Sequence, residues 1–149
     1  MDYTLRPAVA SDRDFLFELH RTTMHDHIEQ TWGWDETWQR LEFDRRFREQ
    51  VVSVIETADG DVGALWLEPR PDSVYVEEIQ IVPASQRRGL GTAVLSRLIA
   101  ESAARGLAVE LAVLPRNADA RRLYKRLGFT ATRVEEPFVY MRIDPNRDP

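Results

Sequence analysis

Two periods of apolar spacing run along the chain, and the switches between them mark its elements. Tyr3 to Arg6 is a short extended segment that Pro7 ends. Ser11 offers a side-chain oxygen to the amides of a helix start, with Asp12 and Asp14 favourable in its first turn. Phe15, Leu16, Leu19, Thr23 and Ile28 then recur at helical spacing, which predicts a helix to about Gln30. Gly33 interrupts it, and Trp38, Leu41 and Phe47 suggest a second helix from about Asp35 to Arg48.

The middle of the chain changes period. Val51 to Ile55 is short and β-branched, Asp59-Gly60 is a hairpin turn signal, and Ala64 to Leu67 returns as a strand. Val74 to Val82 is a third extended run. A helix carrying Leu90, Val94, Leu95, Leu98 and Ile99 follows and closes at Gly106. Leu107 to Leu114 is dense in Val and Leu, as in a strand buried on both faces. Ala120, Leu123, Tyr124 and Leu127 make one stripe of a short helix stopped by Gly128, and Phe129 to Val134 and Phe138 to Ile143 are two closing strands. Asp144 to Pro149 is a frayed polar tail. This order predicts an α/β fold: a mixed, mostly antiparallel sheet of about seven strands flanked by about four helices.

Length and composition narrow the class. At 149 residues with no internal linker, the chain suits one domain, residues 1–149. Apolar residues make up 43% and charged residues 30%, which is globular usage. The net charge of −5 argues against nucleic-acid and membrane-surface partners, which select a dominant positive field. The absence of cysteine excludes disulfides, thiolate metal sites and a cysteine nucleophile. With no signal pattern and no apolar run of membrane-spanning length, the expected location is cytoplasmic.

One segment carries candidate chemistry. Gln86-Arg87-Arg88-Gly89-Leu90-Gly91-Thr92 joins a strand to a helix. Its two glycines let the backbone approach a ligand closely, and the first amides of the helix have no carbonyl partners. Together they can cradle a diphosphate, with Arg87 and Arg88 adding charge at the rim. A tight structural start to the helix is the competing reading. Neither the dinucleotide nor the phosphate-loop pattern fits the spacing.

These residues resemble the Gln/Arg-x-x-Gly-x-Gly signature of the GCN5-related N-acetyltransferase (GNAT) family. Asn117 to Phe129 is similar to the family's second signature, Asn-x-x-Ala-x-x-Leu-Tyr-x-x-Leu-Gly-Phe, with a strand between the two. The resemblance covers nearly the whole chain and is weakest over residues 20–50, where the family selects its acceptor. It implies an acyltransferase that moves the acetyl group of acetyl-CoA, its co-substrate, to a primary amine of a small molecule, amino acid or peptide by direct transfer in a ternary complex. A CoA-binding regulatory module without turnover, and an acyltransferase for a protein terminus or a longer acyl-CoA, are the alternatives. The amides from Gln86 to Thr92 would hold the pyrophosphate. The strand edge at Ile79, Gln80, Ile81 and Val82 would pair with the pantetheine arm, and a backbone amide, Ile81 among the candidates, would polarise the thioester carbonyl.

Tyr124 matches the family tyrosine that protonates the departing sulfur, although its helical stripe also suits a core residue. Asn117 matches a contact to the cofactor arm and equally suits a helix cap. For the base, strict alternation puts Glu77 with Ile79 and Ile81, and Glu78 with Gln80 and Val82. The polar Gln80 makes Glu78 the preferred base, with Glu77 and His25 as competitors. Trp32 and Trp34, with Trp38, either wall an acceptor pocket or staple two helices onto the sheet, and for Trp38 stapling is the favoured role. Nearby Glu29, Asp35 and Glu36 would suit a cationic acceptor, and the run Glu42 to Glu49 is best taken as a solvated face. No metal site is expected, and the chain would act as a monomer or homodimer.

Overall fold

The computed structural model describes residues 2–145, so the polar tail from Asn146 onward lies outside the described residues. Seven strands form one sheet in the order β1-β2-β3-β4-β5-β7-β6. They are β1 (Thr4–Pro7), β2 (Val51–Thr57), β3 (Gly60–Pro69), β4 (Ser73–Ile81), β5 (Ala108–Val113), β6 (Thr130–Glu135) and β7 (Phe138–Ile143). Only the β4–β5 pair is parallel, because the helix between them carries the chain back across the sheet. The four helices are α1 (Arg13–Thr31), α2 (Glu36–Glu49), α3 (Leu90–Ala104) and α4 (Ala118–Leu127).

The sheet separates two cores. On one face α1 and α2 seal Val52, Val54, Ala64 and Trp66 beneath Leu16, Leu19 and Phe43. On the other, α3 packs Leu90, Val94, Leu95 and Ile99 onto Leu65, Val76, Val109 and Leu111, and α4 covers the margin with Leu123 and Tyr124. Period-two alternation lets one strand serve both cores, since Ala64 and Trp66 face one and Leu65 and Leu67 the other.

Four local expectations change. Ser11 is exposed within a short 3-10 turn and does not cap α1. Asp12 organises that junction instead, accepting from the Val9 amide at 2.8 Å and from both terminal nitrogens of Arg6 at 2.9 Å. In α2 the buried stripe is Gln39 and Phe43, with Phe47 packed beside it, so Trp38 and Leu41 fall off the stripe and stand exposed. Along β5, Glu110 and Ala112 are only half-buried, so one face of that strand is open.

The fourth change concerns β4. The β3–β4 register slips between Trp66, opposite Glu78, and Leu67, opposite Val76, which leaves Glu77 as an extra residue in a bulge. Alternation is broken there. Glu77 therefore does not share a face with Ile79 and Ile81, which pack with the α3 core. Its carboxylate accepts instead from the side chain of Gln50, just past α2. Glu78, opposite Trp66, lies on that same side.

Candidate active site

β4 and β5 pair only from Ser73–Ala108 to Val76–Leu111 and then diverge. The gap opens into a cavity of about 950 Å³ bounded by α1, α2, the ends of both strands, α4 and β7. Its walls come from both faces of the sheet, so a molecule entering from the α1–α2 side can meet one held from the α4 side. A splayed parallel pair also frees main-chain polar groups, and the register identifies them. The Val82 amide donates to Val62 at 2.8 Å, so the amides of Val82 and Gln80 face β3. The amides of Ile79 and Ile81 consequently face the gap. Of the four edge residues expected to pair with the pantetheine arm, these two have main-chain groups directed there.

The loop after β4 has a geometry that can hold an anion. Arg87 has φ +62° and Gly89 φ +83°, two left-handed residues flanking Arg88. Such a turn curls successive N–H groups around a concavity. A non-glycine residue held in that region costs roughly 1–3 kcal/mol, and such strain concentrates at ligand clamps. The first intrahelical bond of α3 runs from Ala93 to Gly89, so the amides of Leu90, Gly91 and Thr92 lack helical acceptors. No heavy atom lies within 4 Å of a Cβ built on Gly89. The Gln86 amide differs, because it donates to Pro83 within a 3-10 turn. The side chain of Gln86 donates to the Ile81 carbonyl at 2.8 Å and ties the loop to the strand edge. The side chains of Arg87 and Arg88 are exposed at the rim, each 3.7 Å from a carboxylate, Asp119 and Asp59 respectively. The Leu90 side chain is in the core and that of Thr92 faces solvent, so both reach the concavity only through their amides.

Asn117 caps α4, accepting from the Ala120 amide at 3.3 Å, and also lines the cavity. Tyr124 lines it too, with its ring set edge-on to Phe129 at 5.8 Å. Burial raises the Tyr124 phenol above its ordinary value, and the Glu78 carboxylate raises it further, so the hydroxyl keeps its proton. Glu78 stands on the opposite wall. Burial pushes its carboxyl up to about 7, against the pull of Arg46 and with a smaller push from Glu77. A carboxylate near 7 is poised to take a proton at neutral pH.

The α1–α2 wall departs most from expectation. His25 does not line the cavity; it packs against Trp34 at 4.9 Å, beside Asp26. The cavity histidines are His20 and His27. His20 is buried between Gln39 at 2.8 Å and Gln80 at 3.2 Å, and burial lowers its pKa, so it serves as a neutral hydrogen-bonding hub. Trp34 and Trp38 exchange their expected roles, while Trp32 keeps its own. Trp34 packs against the α1–α2 core, donating from its ring to Glu36 at 2.9 Å, whereas Trp32 and Trp38 line the cavity. Glu29 is held by the Trp34 amide at 2.7 Å, and Glu36 by Arg21 at 2.8 Å. Of the three acidic residues expected here, Asp35 lines the cavity, and the other carboxylates on it are Glu42, Glu77, Glu78 and, on the α4 side, Asp119. Glu42 and Arg46, read from sequence as a solvated face, turn inward, and Arg46 reaches Glu77 at 3.6 Å. Their helical spacing from Gln39 was the available signal. The mixed charges around them obscured it.

A seven-strand sheet with one diverging parallel pair, four helices and a glycine turn after β4 match the acyl-CoA N-acyltransferase fold. The chain belongs to the acetyltransferase (GNAT) family, whose model matches residues 14–129. No curated protein matches it in sequence. Among solved structures, it is similar to PaiA N-acetyltransferase from Thermoplasma acidophilum in complex with coenzyme A, at 12% identity and TM-score 0.77, covering 97% of this chain and 99% of that one. The ribosomal-protein-S18-alanine N-acetyltransferase from Escherichia coli superposes at 18% identity and TM-score 0.74, covering 99% and 97%. Spermidine N-acetyltransferase from Vibrio cholerae, in complex with CoA and spermine, does so at 21% identity and TM-score 0.72, covering 96% and 95%. No helix among the described residues is long and apolar enough to cross a membrane.

Proposed function

We propose that this protein transfers the acetyl group of acetyl-CoA directly to a primary amine, both substrates being bound together. The observation that carries this reading is the continuous track of outward main-chain groups. It runs from Ile79 and Ile81 at the splayed edge to the free amides of residues 90–92, and Glu78 and Tyr124 line the same cavity. Coenzyme A fits that track. Its diphosphate suits the turn at Arg87 and Gly89, and its extended amide-bearing arm suits an unpaired strand edge.

When bound, acetyl-CoA supplies a thioester carbonyl open to attack by an amine. Glu78 takes a proton from the incoming ammonium, directly or through water, so that the nitrogen lone pair is free. The Ile81 amide stabilises negative charge on the carbonyl oxygen. Tyr124 delivers a proton to the departing sulfur. The C–N bond forms and the C–S bond breaks, the nitrogen gives up its second proton to restore the Tyr124 hydroxyl, and amide and free thiol are the products. With no cysteine in the chain, a cysteinyl acyl-enzyme is impossible, which supports direct transfer. Residues 1–149 would act as one catalytic domain, as the unbroken sheet suggests.

The test is calorimetric and kinetic. Wild-type protein should bind acetyl-CoA and release free thiol in the presence of amines. Gly89→Val forces a β-branched residue into φ +83°, at a cost of about 1–2 kcal/mol or more, and should weaken acetyl-CoA binding at least about tenfold with helicity intact. Undiminished binding by the variant would remove the turn from the site.

A further inference from the structure

The acceptor half of the cavity is walled by aromatic rings and carboxylates. Trp32 and Trp38 are each 56% exposed at its mouth. Trp32 lies 5.7 Å from Phe138, which lies 6.3 Å from Tyr140, so a line of rings joins the end of α1 to β7. Single exposed aromatics are ordinary on protein surfaces, but these converge on one concave site. Asp35, the carboxylate at the mouth, caps α2 through the Trp38 amide. The others, Glu42, Glu77 and Glu78, sit deeper.

The positive side of this wall is fully engaged. Among the described residues lining the cavity, Arg46 is the only arginine or lysine, and Glu42 and Glu77 both hold it. Arg70 and Arg133 stack on the wall rings of Tyr75 and Tyr140 at 4.2 and 4.0 Å. Arg70 is paired with Glu68 and Glu110, and Arg133 with Glu135. A ligand carboxylate would lose its water here beside fixed negative charge, with no free arginine or lysine among the described lining residues to receive it. An ammonium meets carboxylates and ring faces, both of which attract it.

Resting on the acetyl-transfer reading above, we infer that the acceptor is a hydrophobic primary amine with no carboxylate beside its amino group. It is an aralkyl- or alkylamine rather than a free amino acid. Its apolar body lies against Trp32, Trp38 and Phe138 while its nitrogen reaches Glu78. Selectivity then comes from two sources, ring area at the mouth and the missing anion partner at the floor.

The proposal is tested by kcat/KM for thiol release at saturating acetyl-CoA with phenethylamine, phenylalaninamide, phenylalanine and butylamine. Phenethylamine and phenylalaninamide should each exceed phenylalanine by about tenfold or more, and phenethylamine should exceed butylamine. Trp38→Ala should raise KM for phenethylamine about fivefold or more, leaving KM for acetyl-CoA unchanged. Phenylalanine turned over as well as phenethylamine, butylamine preferred over phenethylamine, or an unchanged KM in Trp38→Ala would each overturn it. Those results leave acetyl transfer intact. Thiol release from none of the four amines would instead sink the transfer reading and the acceptor class together.

Discussion

Replacing Glu78 by Gln should make the protein more stable at alkaline pH while removing most of its activity. The side chain faces the cavity beside Arg46 and Glu77, and burial lifts its carboxyl from 4.5 to about 7. A pKa raised on folding means that the folded state holds the proton more tightly. The associated stability is present below about 4.5 and is lost as pH rises through about 7. At about 1.36 kcal/mol per pKa unit the difference has a ceiling of about 3.4 kcal/mol. Glu78 is only half-buried, so cleft water screens part of this and about 1–2 kcal/mol remains. Glu78→Gln should therefore melt about 3–6 °C above wild type at pH 8 and converge with it near pH 5. Urea unfolding followed by tryptophan fluorescence at both pH values measures the gap. In kinetics, wild-type kcat/KM should fall on the acid side of about pH 7, and the variant should lose about 10²-fold or more together with that limb. A variant no more stable at pH 8 than wild type, or one retaining the acid limb, would refute the reasoning.

Three further outcomes follow from the same geometry. Arg46→Met removes the guanidinium that favours ionised Glu78, so the acid limb of kcat/KM should move about one pH unit upward; a shift downward or none would exclude that coupling. Tyr124→Phe should lower kcat about 10²-fold and change acetyl-CoA affinity less than about threefold, and an unaltered kcat would make Tyr124 a wall residue only. Gly63→Ala would place a Cβ 2.4 Å from the Gln80 carbonyl and press β3 away from β4 next to the site. Thermal unfolding should show a loss of about 1–3 kcal/mol, and an unchanged midpoint would mean that the strands give way freely.

Much of the geometry around the candidate site was legible along the chain because its signals are local. The turn at Arg87–Gly89 depends on residues adjacent in sequence, and the cap at Asn117 and the stripe through Leu123 and Tyr124 each need a single helix. The α1–α2 wall was not legible. Whether Trp38 faces the cavity depends on the roll of α2 against the sheet, and Gln39 and Phe43 set that roll by packing over His20 and Trp66. His25 and His20 both suit a helical surface in isolation, and only the docking of α1 buries one and exposes the other.

The order of elements, their approximate limits and the glycine turn that opens α3 were determined by sequence alone, since hydrophobic period, turn residues and helix starts act over a few neighbouring positions. Tertiary structure decided where β4 and β5 part, that Glu77 bulges and joins Glu78 on one side, and that burial brings Glu78 near neutral titration. These properties belong to pairs of distant segments. Strand register, desolvation and the field of Arg46 come into being only when the segments meet, so no local pattern could encode them legibly.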